Sequence, residues 1–375
     1  MIIKSLELAD FRNYETLNIS FSDGVNILYG DNAQGKTNIL EAIYLSATTK
    51  SHKGSKDKEM IRFGREEAHI RTYLYKDEAT TKVDMHLRSN KTKGIAIDNQ
   101  KIKKAADLLG LLNVILFSPE DLSIIKDGPD KRRRFMDMEL CQLDNFYLYN
   151  LNNYNKIVNQ RNKLLKEMYM NESLADTLGI WDSQLVSYGS KIIERRKIFV
   201  NQLNEIIEEI HFKISGKKER LLIVYEPDVT EEEFESKLLH SKYKDIKLKQ
   251  TTVGPHRDDF SFMIGDIDVR KYGSQGQQRT AALSLKLAEI ELVKKITGDT
   301  PVLLLDDVLS ELDSNRQDYL LNSSGNVQTI ITCTGLDEFV NNRFEINKTF
   351  KIENGSLKED VSLFYFGNRS SSNFF

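Results

Sequence analysis

The chain has 375 residues, 40% of them hydrophobic and 29% charged, enough for a large core split over two or three lobes. No run approaches the roughly 18 apolar residues of a membrane helix, and the net charge of −3 gives no overall attraction to nucleic acid, so any such binding must come from local basic clusters. Cys141 and Cys333 fit no metal spacing and suit a reducing compartment.

The segment Met1 to Glu7 alternates like a strand and carries no signal-peptide pattern. Ser22-Asp23-Gly24 marks a turn before a strand-like run, Val25 to Leu28. Next comes Gly30-Asp31-Asn32-Ala33-Gln34-Gly35-Lys36-Thr37, a G-x-x-x-x-G-K-T loop, and then a helix-like run from Asn38 to Ile43. Residues 60–118 alternate with period two and predict strands, ending with the apolar run Val114 to Phe117. From Lys131 to about Met170, and again from Ile180 to about Ile214, helical spacing prevails, with Leu185, Ile192, Phe199, Leu203, Ile206 and Ile210 on one face. A break near 171–179 makes this a helical hairpin, each limb at most about 55 Å long, forming a compact lobe rather than a free coiled coil. Beyond residue 221, strands return at Leu221 to Tyr225, Val302 to Leu305 and Gln328 to Thr332. Helices are predicted over 230–240 and 277–297, the second with Ala281, Leu285, Ala288, Leu292 and Ile296 as its apolar stripe. The tail from Gly367 reads as loose.

Strand, phosphate loop and helix in that order point to a nucleoside triphosphate site. Backbone N–H groups from Gly30 to Thr37 would surround the phosphates in front of a helix N-terminus, Lys36 would reach the outer phosphates, and the Thr37 hydroxyl would hold Mg²⁺. Such a site needs a carboxylate at the end of an apolar strand. Asp306 fits as metal ligand, and Asp307 is then placed to orient or deprotonate an attacking water. Asp313, a few residues on, is a possible contact to a facing subunit. Ser274-Gln275-Gly276-Gln277-Gln278 opens the 277–297 helix, and read alone it is either a second anion-binding arrangement or a plain helix cap.

Lys126 with Lys131, Arg132, Arg133 and Arg134 is the densest basic run; Lys50, Lys53 and Lys56 form another, and Lys91, Lys93, Lys101, Lys103 and Lys104 a third. Each is a candidate DNA contact or an ordinary solvated face. Tyr147, Tyr149 and Tyr154 either stack on bases or pack the lobe. His256-Arg257-Asp258-Asp259 invites a metal or nuclease reading.

The order of phosphate loop, Ser-x-Gly-x-Gln and Asp-Asp strand resembles the ABC-type ATPases. The roughly 270 residues between loop and Asp306 resemble their SMC-like branch, in which a helical arm interrupts the head. The match narrows to the RecF family through Asp10-Phe11-Arg12-Asn13-Tyr14, Gly35-Lys36-Thr37-Asn38, Phe117-Ser118-Pro119-Glu120-Asp121-Leu122, Arg132-Arg133-Arg134-Phe135-Met136-Asp137, Gly254-Pro255-His256-Arg257-Asp258-Asp259 and Asp306 to Asp313, in family order along nearly the whole chain.

The resemblance implies an α/β fold, a P-loop ABC-type ATPase head interrupted by a short helical arm. Its parts are residues 1–125, an arm at 126–220, the rest of the head at 221–366 and a tail at 367–375. It implies ATP and Mg²⁺ as cofactors, with Arg12, Asn13, Asn38, Ser274, Gly276 and Gln278 joining the phosphate loop on nucleotide, and Ser274 acting in trans on a second copy's ATP. It further implies a cytoplasmic, slow, DNA-dependent ATPase that dimerises on ATP. Such a protein binds double-stranded DNA and gapped or single-stranded junctions, and works with RecO and RecR to load RecA. Three departures from the wider ABC pattern suit slow hydrolysis: Asp307 replaces the usual glutamate, Thr332 or Thr334 stands where a switch histidine is expected, and no water-positioning glutamine is evident. An ATPase powering a separate effector such as a nuclease is the alternative. A transporter ATPase is disfavoured by the arm and by the lack of a Leu-Ser-Gly-Gly-Gln.

Overall fold

The computed structural model describes residues 1–168, 177–325, 327–336 and 346–362. The tail from 367, and the predicted break up to residue 176, lie outside these. In chain order the elements are β1 (Ile2–Phe11), β2 (Tyr14–Ser20), β3 (Val25–Tyr29), α1 (Lys36–Thr48), β4 (Glu67–Lys76), β5 (Ala79–Arg88), β6 (Gly94–Ile97), β7 (Gln100–Lys101), β8 (Val114–Phe117), α2 (Leu122–Lys126), α3 (Pro129–Leu143), α4 (Asn145–Met168) and α5 (Leu178–Ile214). They continue with β9 (Leu221–Glu226), α6 (Phe234–His240), α7 (Lys242–Leu248), β10 (Asp259–Ile264), β11 (Ile267–Asp268), α8 (Val269–Tyr272), α9 (Gln275–Thr297), β12 (Val302–Asp306), α10 (Ser314–Ser324), β13 (Thr329–Cys333), β14 (Lys348–Glu353) and β15 (Ser356–Ser362).

The chain divides into two compact units, Met1–Pro119 with Val293–Phe375, and Glu120–Leu292. The stretch from 221 to 292, assigned above to the head, therefore groups with the helical arm.

In the first unit α1 lies between two six-stranded sheets, touching β4 of one and β8, β12 and β13 of the other. This explains why most of α1 is buried, including Glu41, and why it shows no polar face. The outer sheet, ordered β2-β1-β4-β5-β6-β7, is antiparallel. On β4, Ala68, Ile70, Thr72 and Leu74 point into the core while Glu67, His69, Arg71 and Tyr73 face outward. The inner sheet, ordered β15-β14-β3-β13-β12-β8, is parallel apart from β15. Its strands β12 and β13 are buried throughout, with the apolar residues Val302 to Leu305 and Ile330-Ile331 at their centres. Because β3, β13 and β12 are parallel neighbours in register, the phosphate loop, Thr332 and Asp306 arrive at the same carboxyl edge, where open α/β sheets bind ligands.

The second unit packs α4 against α5 and lays the small sheet β11-β10-β9 over α5 and α3. The first helical limb is interrupted at Asp144, whose carboxylate accepts the Phe146 and Tyr147 N–H groups and caps α4. The α5 stripe is buried at Leu185, Ile192, Phe199 and Leu203, and then continues through Ile207, leaving Ile206 and Ile210 at its margin. At the far end of the hairpin, Leu164, Leu165, Met168 and Leu178 form a small core with Trp181 and Ile246. Beneath it the buried Arg161 donates to Asp182 and Asp245 at 2.6 Å each.

Candidate nucleotide site

Gly30 has φ +148°, and a Cβ there would stand 2.3 Å from the Ile352 carbonyl oxygen on β14, so glycine alone fits. Gly35, at φ +114°, is hemmed in by the Asn13 side chain and the Tyr14 hydroxyl. Between them the loop is braced from outside. Asn13 donates its amide to the Gln34 carbonyl at 2.9 Å and accepts from Asn38 at 2.8 Å, and Tyr14 donates its hydroxyl to the Gly35 carbonyl at 3.1 Å. The Gly355 N–H also reaches the Gln34 carbonyl, at 3.0 Å.

Lys36 folds over this loop and donates to the carbonyls of Gly30 at 2.5 Å and Asp31 at 2.7 Å. Burial lowers its pKa, against the opposing pull of Asp307, Cys333, Asp306 and Asp31. An anionic phosphate chain would give this ammonium a partner of the right charge.

Thr37 donates its hydroxyl to the Asp306 carboxylate at 2.7 Å, and Thr332 donates to the same oxygen at 2.8 Å. Asp307 follows in the left-handed region, φ +55°, with its N–H on the Thr332 hydroxyl at 3.0 Å. This backbone turn leaves the Asp307 side chain exposed while Asp306 is buried. The donor set of hydroxyl and carboxylate is hard oxygen and fits Mg²⁺. Thr332, noted above only as standing where a histidine was expected, is thus the hydroxyl that holds Asp306 and Asp307 in place.

Arg12 does not project freely toward ligand. Its guanidinium clasps the fully buried Glu41 through two bonds of 2.7 Å, and also reaches Ser55 and the Glu59 carbonyl. Burial pushes the Glu41 carboxyl up, but Arg12 and Ser51 outweigh it and hold the pKa below its ordinary value. Arg12, Asn13 and Asn38 line an open groove of about 620 Å³ beside the loop, together with Arg62, Phe63 and Arg65. Phe63 is wholly exposed there. Nothing in its local sequence singles it out; only the fold brings it beside the phosphate loop.

In the second unit, Ser274 and Gly276 are exposed at the start of α9. The Ser274 hydroxyl accepts the Gln277 N–H at 3.2 Å while the Gln277 side chain accepts the Ser274 N–H at 2.8 Å, a reciprocal capping box. Gln278 departs from expectation. It is buried and donates its amide to the Val269 carbonyl, so it secures the preceding turn instead of presenting itself to a ligand. Asp313 is exposed and caps α10 through the Arg316 N–H at 3.1 Å.

The basic run separates by position. Arg132 is buried and forked onto Asp259 at 2.6 and 2.9 Å, and Arg133 donates to the Asp258 carbonyl at 2.7 Å. Arg132 is therefore a strut of the fold rather than a DNA contact. Lys131 and Arg134 are exposed in the same unit, and Lys53 and Lys56 in the other. Tyr147 and Tyr154 are buried in packing, whereas Tyr149 is exposed and edge-on to Tyr188.

The Gly254–Asp259 segment makes internal bonds throughout. His256 bonds Tyr154 at 2.7 Å and the Thr251 carbonyl at 3.1 Å, and burial holds its pKa low. Asp258 accepts from Arg196 at 2.7 Å, from Tyr225 at 2.5 Å and from the Asp228 N–H at 3.0 Å. Both of its carboxylate oxygens are spent on the fold.

The family described as RecF/RecN/SMC N terminal domain matches residues 2–358. The DNA replication and repair protein RecF of Agathobacter rectalis is 63% identical over 358 residues, covering 96% of this chain and 99% of its own length. That of Lachnoclostridium phytofermentans is 62% identical over 359 residues, covering 96% and 100%. The chain belongs to the RecF family. A solved structure of the recombination mediator protein RecF with ATP, in the RecFOR pathway, superposes with a TM-score of 0.90 at 37% identity, covering 96% of this chain and 97% of that one. An Smc head domain bound to the C-winged helix domain of ScpA aligns with a TM-score of 0.57 at 18% identity, which shares the fold alone. The RecF family is thus an SMC-like branch of the ABC-type ATPase fold, as the motif order suggested. Among the described residues no helix is long and apolar enough to cross a membrane.

Proposed function

We propose that this chain is an ATP-gated DNA-binding repair protein that closes into a homodimer on ATP and holds DNA at single-strand gaps. In that role it helps RecO and RecR load RecA during repair, replication restart and the SOS response, and slow hydrolysis releases it. The single observation that carries the nucleotide half is the Thr37–Asp306 hydrogen bond of 2.7 Å at the carboxyl edge of the parallel sheet. Thr37 and Asp306 would hold Mg²⁺, which when bound neutralises charge on the outer phosphate oxygens. Lys36 would leave the loop carbonyls for the phosphates, and the exposed Asp307 would orient the attacking water. Asn13 braces the loop, Arg12 anchors Glu41 on the helix behind it, and the groove at Phe63 would take the nucleoside.

The dimer half rests on exposed Ser274 and Gly276 at the N-terminus of the 23-residue α9, where hydroxyl, backbone N–H groups and helix dipole all favour an anion. Such an exposed anion-favouring helix end suits the triphosphate of a second copy. Lys131, Arg134, Lys53 and Lys56 are the exposed candidates for phosphate contacts of DNA.

Sedimentation with and without ATP and Mg²⁺, alongside binding to gapped, single-stranded and duplex DNA over a range of salt, tests both halves. ATP-dependent dimerisation with steeply salt-dependent DNA binding is expected. A chain that binds ATP yet stays monomeric at every concentration refutes the clamp.

A further inference from the structure

The outer face of the antiparallel sheet carries a second constellation, away from the phosphate loop. On β4, Glu67 and His69 project to the same side. On β5, His86 lies directly opposite His69 in register. The two imidazoles stack with centroids 4.1 Å apart and planes 21° from parallel, and Glu67 reaches the His86 Nε2 at 2.8 Å. One donor atom from each of the three lies within 4.8 Å of the other two. His69 and His86 also line an open groove of about 980 Å³ on this face.

We propose that Glu67, His69 and His86 bind a divalent first-row transition ion, with Zn²⁺ the best match. Two imidazoles and a carboxylate suit Zn²⁺, Co²⁺ or Ni²⁺ and disfavour Mg²⁺, which takes oxygen. Donors about 2.1 Å from a tetrahedral metal stand roughly 3.4 Å apart, so closing this triad onto an ion requires the two imidazoles to turn out of their stack until both ring planes meet at the metal. The groove leaves a fourth position open to water or to a donor from another molecule. The competing state is the bare Glu67–His86 hydrogen bond on a face that also carries the Arg71–Asp84 pair at 2.6 Å.

The test is titration of the full chain, stripped by chelator and free of nucleotide, with Co²⁺ followed by its visible absorption and then with Zn²⁺ against a chromophoric chelator. One equivalent is expected, with Zn²⁺ displacing Co²⁺. His69→Ala and His86→Ala should each weaken binding at least about tenfold. His240→Ala, at an exposed histidine in the other unit, should leave binding unchanged. Glu67→Gln retains a hydrogen-bond partner for His86 and so keeps the bare sheet intact; it too should lose affinity. Absence of a bound equivalent, or binding that survives all three ligand substitutions, overturns the site.

Discussion

Thr332 donates its hydroxyl to Asp306 at 2.8 Å and accepts the Asp307 N–H at 3.0 Å, so one buried side chain sets both carboxylates at the strand end. In Thr332→Val the shape persists but both bonds vanish. A buried carboxylate and N–H left without that partner cost about 1–3 kcal/mol. The Mg²⁺ concentration needed for half-maximal nucleotide binding should rise roughly tenfold, in keeping with that cost. Fluorescent-nucleotide titration across Mg²⁺ concentrations reads it. An unchanged Mg²⁺ midpoint would mean Asp306 is held without Thr332.

Phe63 stands fully exposed in the groove beside Asn13 and Asn38. If its ring carries the base, Phe63→Ala should weaken ATP by a factor of about 5–10, within the 1–3 kcal/mol typical of base stacking. Inorganic tripolyphosphate, which has no base, should bind as before. Calorimetry with both ligands separates the cases; equal losses for both would place the effect in the loop rather than at the base.

Ser274 and Gln277 cap each other, which separates capping from any role in trans. Ser274→Ala and Gln277→Ala should each cost about 1 kcal/mol of stability through the lost cap. Only Ser274→Ala should also abolish ATP-dependent dimerisation and turnover while leaving ATP binding by the monomer intact. Should Gln277→Ala dimerise no better than Ser274→Ala, the helix end matters only as structure.

Lys286 on α9 is buried among acids, 3.0 Å from Glu289 and 3.8 Å from Asp121, with Glu139 of α3 close by. One ammonium cannot neutralise three carboxylates. Burial pushes Glu139 up to about 7, Lys286 opposes that rise and Asp121 adds to it. Glu289 is raised for the same reason, burial first. A carboxyl raised in the folded state binds its proton more tightly there than in the unfolded chain. Its stabilising contribution is complete below about pH 4.5 and is lost as pH rises through 7. Glu139→Gln should remove that loss, on the order of 3 kcal/mol, making the variant more stable than the parent at pH 8 and about equal at pH 4.5. Denaturant midpoints across this range decide it; parallel pH profiles would exclude the cluster as their source.

The sequence by itself determined the chemistry that depends on local backbone and residue type. Two glycines spaced in a phosphate loop, a lysine and threonine at a helix start, and an apolar strand ending in Asp306 and Asp307 are short-range patterns, legible because loop, helix and strand each carry their own local signature. What only the tertiary structure decided depends on strand order and burial. That β13 lies between β3 and β12, and so puts Thr332 on Asp306, follows from parallel pairing across hundreds of residues. The division of Arg132 from Arg134, the inward turn of Gln278 and the placing of Phe63 beside the phosphate loop follow the same logic. A polar side chain reads the same in sequence whether it faces solvent or a buried partner; the low-dielectric interior, which penalises an unmatched buried charge, makes the choice.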